Sequence, residues 1–154
     1  MPKLQQHNKK QPLAIIISGP SGVGKDAVIQ RMKQLNKPYN FIVTATSRPL
    51  RPNEVDGLDY TFLSVKEFRQ KIQNGDFLEW AKVYNHYYGT PKKAITDSLS
   101  SGKDTIIKTD VQGAGSIKKL LPQGLFIFIM PPSEEELARR INKRKTETSK
   151  EIDL

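Results

Sequence analysis

Gly19-Pro20-Ser21-Gly22-Val23-Gly24-Lys25 has the G-x-x-x-x-G-K spacing of a phosphate-binding loop. Glycines at such a turn let successive backbone N–H groups face phosphate oxygens without Cβ clashes, and the lysine adds a compact cation. Glycine-rich turns are common, so the flanks decide. An apolar run, Leu13-Ala14-Ile15-Ile16-Ile17, leads in, and Val28, Ile29, Met32 and Leu35 follow at a helical period. The pattern ordinarily continues with Ser or Thr, whose hydroxyl reaches Mg²⁺; here the next residue is Asp26. A carboxylate can ligate Mg²⁺ from that place, and it can equally be a first-turn acid favoured by the helix dipole. Both readings stand.

Other residues could grip anions or donors. Arg48 and Arg51 are three apart in a loop, Arg48 to Asp59, that also holds Pro49, Pro52 and Gly57. Either arginine alone reads as a solvated loop cation; the two together suit a fork around a phosphate dianion. Glu79 follows Phe77-Leu78 and precedes Trp80, so it lies on a half-buried strand and needs a partner. Taken alone, a structural salt bridge is its first reading. Asp110 ends an apolar run and precedes Gln112-Gly113, where α/β sheets present ligand-facing residues. Arg139, Arg140, Lys143, Arg144 and Lys145 form a basic cluster of a kind that is usually a solvated helix face.

The elements that must position these residues alternate. Strands are expected at Leu13–Ile17, Phe41–Val43, Tyr60–Leu63, Thr105–Ile107 and Leu125–Met130, with a strand pair from Phe77 to Tyr88 around Asn85-His86. Helices are expected at Ala27–Leu35, Val65–Ile72 (Ser64 as cap, Glu67 three residues on), Pro91–Leu99 and Gly113–Leu121. A further helix runs from a Ser133 cap to about Arg144. This order predicts an α/β layer with a mostly parallel sheet and a small mixed insertion.

Composition bounds the rest. A chain of 154 residues with 36% apolar content can build one core. It has no apolar run near the ~20 residues that cross a membrane, so no membrane partner is expected. The opening MPKLQQHNKKQ is a basic, polar tail without the apolar stretch of a signal peptide. The absence of cysteine removes disulfides and thiolate chemistry and fits a cytoplasmic setting. His7 and His86 are too few and too distant for a metal cluster. A net charge of +9 asks for anionic partners, yet no basic tract is interleaved with aromatics, so a nucleic-acid platform is not expected.

Several stretches together resemble the guanylate kinase family: Thr46-Ser47-Arg48-Pro49-Leu50-Arg51, Glu54 to Tyr60, Gly75 to Ala81, Tyr87-Tyr88-Gly89-Thr90, Asp110-Val111-Gln112-Gly113 and Pro131-Pro132-Ser133. The resemblance spans roughly residues 12 to 154 and implies a P-loop nucleoside monophosphate kinase fold that transfers the ATP γ-phosphate to GMP, with Mg²⁺. It implies a core at 12–43 and 91–132, a GMP-binding insertion at about 44–90 and a helical lid at about 133–154, behind a basic tail at 1–11. On the acceptor side it gives Arg48, Arg51, Tyr60 and Tyr88 to the GMP phosphate, and Glu79 and Asp110, with Thr44 and Thr90, to the base. On the donor side it gives Gly19, Pro20, Ser21, Gly22, Val23, Gly24, Lys25 and Asp26 to the ATP phosphates. Lys25, Arg48 and the lid arginines Arg140 and Arg144 are the catalytic cations it implies.

Two further points follow from the likeness. The family often has an acid two residues before Asp110, where this chain has Lys108. The family's closing helix, strand and helix would follow Leu154, so a truncated form is expected. Related binding modules that have lost catalysis typically lack a working phosphate loop, and Gly19 to Lys25 is intact.

Overall fold

The computed structural model describes residues 10–143. Strand β1 (Ala14–Ser18) carries three β-branched isoleucines that suit a pleated, largely covered position, with Ile16 and Ile17 buried. The phosphate loop follows, then helix α1 (Lys25–Gln34). Strand β2 (Asn40–Phe41), strand β3 (Ala45–Thr46) and strand β4 (Thr61–Phe62) are each two residues long. Next come helix α2 (Val65–Gln73), strand β5 (Phe77–Val83) and strand β6 (His86–Pro91). Helix α3 (Lys92–Ser100), strand β7 (Thr105–Lys108), helix α4 (Val111–Leu120), strand β8 (Leu125–Phe128) and helix α5 (Glu134–Lys143) complete the order.

Two four-stranded sheets result. The first runs β2-β7-β1-β8 and is parallel throughout, with Ile15 opposite Ile106 on one side and Leu125 on the other. Its core gathers Ile16, Ile107, Ile117 and Ile95 beneath α3 and α4. The second sheet runs β4-β3-β6-β5, parallel between β3 and β4 and antiparallel elsewhere. A smaller core supports it, in which Phe68 of α2 stacks on Phe77 at 4.6 Å and on Tyr87 at 5.3 Å. A mixed insertion on a parallel core is the expected architecture.

Local chemistry sets the boundaries. Ser64 and Glu67 form the reciprocal capping box: Glu67 N–H donates to Ser64 Oγ (3.2 Å) and Ser64 N–H to Glu67 Oε2 (2.7 Å). Tyr84 and Asn85, with φ of 47° and 66°, make the two-residue turn of the β5–β6 hairpin. Some bounds differ from expectation. β2 ends at Phe41 because the chain leaves the first sheet to place Ala45 between Thr61 and Gly89 of the second. Pro91 is the extended N-cap of α3, still paired with Phe77, and α4 begins at Val111 because Asp110 caps it.

Candidate active site

The two sheets face each other across a cleft of about 300 Å³. The phosphate loop, the end of β7 and the start of α4 line one wall, and Thr44, Arg48, Arg51, Tyr60, Glu79, Tyr88 and Thr90 line the other. Every site residue expected from the sequence lines it except Val23, Arg140 and Arg144, and Arg144 lies outside the described residues.

On the loop, Gly22 has φ +80°, and a Cβ there would meet Ile141 Cγ1 of α5 at 2.7 Å, so both conformation and space require glycine. Helix α1 starts at Lys25 behind Gly24 with no side-chain cap, which leaves its first N–H groups as an anion-binding terminus. Lys25 Nζ donates to the carbonyls of Gly19 (2.6 Å) and Pro20 (3.1 Å). Val23 is buried beneath the loop, and its carbonyl accepts Arg140 Nη1 at 3.0 Å. Arg140 also donates to Glu136 (2.8 Å), so α5 braces the back of the loop.

The wall opposite the loop is organised by an ion pair that the sequence did not announce. Arg48 is 7% exposed and donates Nη2 to Glu54 Oε1 (2.8 Å) and Nη1 to Oε2 (3.0 Å), while Arg51 N–H donates to the same carboxylate (2.9 Å). Burial opposes the charge on Glu54, but Arg48 and the Arg51 amide outweigh it and hold the carboxyl below its ordinary range. The Arg48 guanidinium also lies 5.5 Å from the centre of the Tyr60 ring, and Tyr60 meets Tyr88 edge-on at 6.2 Å. Glu54 stands in a matching stretch of sequence, but its spacing from Arg48 carries no signal that the two meet.

Deeper in, Glu79 is buried and accepts the Thr90 hydroxyl at 2.5 Å. Burial pushes its carboxyl up and the nearby Asp110 charge adds to that, against hydrogen bonds from Thr90 and Thr109. Asp110 spends Oδ1 on the Gly113 N–H (2.6 Å) as the cap of α4, and its Oδ2 is buried without a hydrogen-bond partner. Thr109 escaped sequence reasoning, since a threonine at a strand end is unremarkable by pattern. Lys108 lines the cleft as well, and its Nζ lies 2.5 Å from Asp26 Oδ1.

Among the described residues no group of three or more His, Asp or Glu could hold a metal by itself. Mg²⁺ in phosphoryl transfer takes most ligands from phosphates and water, so one carboxylate at the loop is enough. Asp26 is the carboxylate that stands next to the loop, and Lys108 Nζ lies 2.5 Å from its Oδ1. No described helix is long and apolar enough to cross a membrane.

A phosphate loop on a parallel sheet, facing two arginines and the buried Glu79 of a mixed insertion, defines the fold of the P-loop nucleoside monophosphate kinases. Comparison with known proteins narrows the class. Residues 11–153 match the family described as guanylate kinase. A guanylate kinase of Caldanaerobacter subterraneus subsp. tengcongensis is 49% identical over 144 residues, 94% of this chain and 70% of that protein. Guanylate kinase 2, chloroplastic/mitochondrial, of Oryza sativa subsp. japonica is also 49% identical, over 90% of this chain and 49% of its own length. The crystal structure of a guanylate kinase from Anaplasma phagocytophilum superposes with a TM-score of 0.72 at 33% identity, covering 92% of this chain and 71% of the other. The chain belongs to the guanylate kinase family.

Proposed function

We propose that the chain transfers the γ-phosphate of ATP to GMP, giving ADP and GDP. The observation that carries the choice of base is the pair of buried acceptors, Glu79 and the unpartnered Oδ2 of Asp110. A buried acceptor without a donor costs about 1–3 kcal/mol. Guanine offsets that cost because its Watson–Crick edge carries two adjacent donors, N1–H and the 2-amino group. Adenine has neither donor in those places.

Arg48, Arg51 and the hydroxyls of Tyr60 and Tyr88 take the GMP phosphate. The loop amides from Gly19 to Lys25, the α1 terminus and the Lys25 ammonium take the ATP phosphates. Asp26 would hold Mg²⁺, which neutralises charge on the donor phosphates when bound. A GMP phosphate oxygen attacks the γ-phosphorus in line as the bond to the ADP oxygen breaks. No general base is needed, since the attacking oxygen is already anionic, and no covalent enzyme intermediate forms. The protein contributes position and cations. Arg140 joins them on closure by exchanging the Val23 carbonyl and Glu136 for phosphate oxygens. Arg144 is proposed for the same role and lies outside the described residues.

Calorimetric titration with GMP and AMP tests the reading. GMP is expected to bind at least ~100-fold more tightly, the discrimination expected when mismatched hydrogen-bonding groups are left unpaired. Equal affinity for AMP would overturn it.

A further inference from the structure

The cleft holds a cation, Lys108, that the mechanism above does not use. Lys108 is the last residue of β7 and projects into the cleft with its side chain 11% exposed. Its Nζ lies 2.5 Å from Asp26 Oδ1, at the first turn of α1 directly after Lys25. The same nitrogen sits 4.1 Å from the centre of the Tyr60 ring on the acceptor wall. One ammonium thus touches the donor loop and the acceptor clamp, and it lines the cleft together with Lys25, Arg48 and Arg51.

Two observations separate this from a surface pair. Lys108 is nearly withdrawn from water, whereas Asp26 is 55% exposed, so the charge that is costly to bury is the cation. An ammonium carries three donors on a flexible stem and acts on phosphate as a point charge. Asp26 and Tyr60 hold it between the two walls without enclosing it, since it borders the cleft.

We propose that Lys108 is an additional catalytic cation, held by Asp26 and Tyr60 at the junction of the two phosphate sites, where it contacts oxygens of the bridging phosphates as donor and acceptor come together. Asp26 is its positioning residue. The proposal rests on the ATP:GMP reading and names a further residue for that reaction. Lys108 should therefore matter little to GMP alone and much to a ligand that spans both sites.

The test is calorimetry in metal-free buffer containing EDTA, so that any effect of Asp26 on Mg²⁺ is silent. The probes are GMP and a pentaphosphate that joins adenosine to guanosine. K108M should weaken the joined pentaphosphate by roughly 10–100-fold, the worth of one charge-assisted hydrogen bond, and change GMP affinity less than threefold. K108R, which keeps the charge, should recover most of the loss. The double variant D26N/K108M leaves neither charge unpaired, so it carries the comparison if K108M folds poorly. It should remain at least tenfold weak if Lys108 contacts phosphate. Full recovery in the double variant would overturn the proposal, because the pair would then only neutralise itself. Equal weakening of both probes in K108M would also overturn it. If the wild-type chain failed to bind GMP at all, the GMP reading itself would fall, and this inference with it.

Discussion

Replacing Glu79 by glutamine exchanges one oxygen for an amino group and leaves the volume of the side chain almost unchanged. Glu79 is 7% exposed, accepts Thr90 at 2.5 Å and, with Asp110, is proposed to accept the guanine donors. A glutamine keeps one acceptor and turns an N–H₂ toward the second donor. A hydrogen bond to a buried charged group is worth about 1.5–3 kcal/mol, so loss of one or both gives roughly 2–6 kcal/mol. That corresponds to a fall of roughly 30-fold to 10⁴-fold in GMP affinity. The ligand-free fold should not suffer. Burial already penalises the Glu79 charge, so a neutral isostere removes a cost at neutral pH. The assay pairs GMP calorimetry with thermal denaturation of both proteins. Retention of GMP affinity within threefold would refute the base-reading role. A lowered melting temperature that accounted for the lost binding would refute it too, showing Glu79 to be structural.

Other expectations follow from neighbouring contacts. A Cβ at Gly113 would fall on Thr109 Oγ1 and lie 3.0 Å from Glu79 Oε2, so Gly113→Ala should weaken GMP at least tenfold by calorimetry. Gly115, in the same helix, has nothing within 4 Å of such a Cβ, and Gly115→Ala should leave GMP binding intact while stabilising α4 by up to ~1 kcal/mol in urea unfolding. Glu54→Ala strands the buried Arg48 guanidinium and should cost about 3 kcal/mol of stability by urea unfolding, with weaker GMP binding. Acidification should act on two carboxyls with opposite sign. Glu79 has a raised folded pKa, so its protonated form favours the fold: that contribution is full below the ordinary glutamate value and lost as pH rises through the raised one. Glu54 has a lowered pKa, so its contribution is full above the ordinary value and lost as pH falls through the lowered one. GMP affinity should fall with pH as Glu79 protonates, and E79Q should flatten that dependence in a calorimetric pH series.

Much of this was legible in sequence because it rests on local chemistry. The phosphate loop, the Ser64–Glu67 capping box and the apolar β1 are specified within a few residues, so pattern alone finds them. What sequence could not show are the meetings. β3 is two residues long and has no alternation to read; it exists because Thr61 and Gly89 flank Ala45. Glu54 gains meaning only when the loop folds back on Arg48, and Thr109 only when β7 ends beside Glu79. Asp26 and Lys108 are separated by 82 residues, and each looked like a local departure from pattern. Arg140 and Val23 are separated by 117 residues, and no pattern shows that the guanidinium meets the Val23 carbonyl.

GMP-dependent formation of ADP from ATP, measured with the purified chain and with AMP in parallel, tests the central claim most directly. One GDP is expected for each ADP when GMP is the acceptor, with E79Q impaired by at least ~30-fold in kcat/KM and AMP phosphorylated far more slowly. Turnover that is equal with AMP, or that is untouched by E79Q, would contradict it.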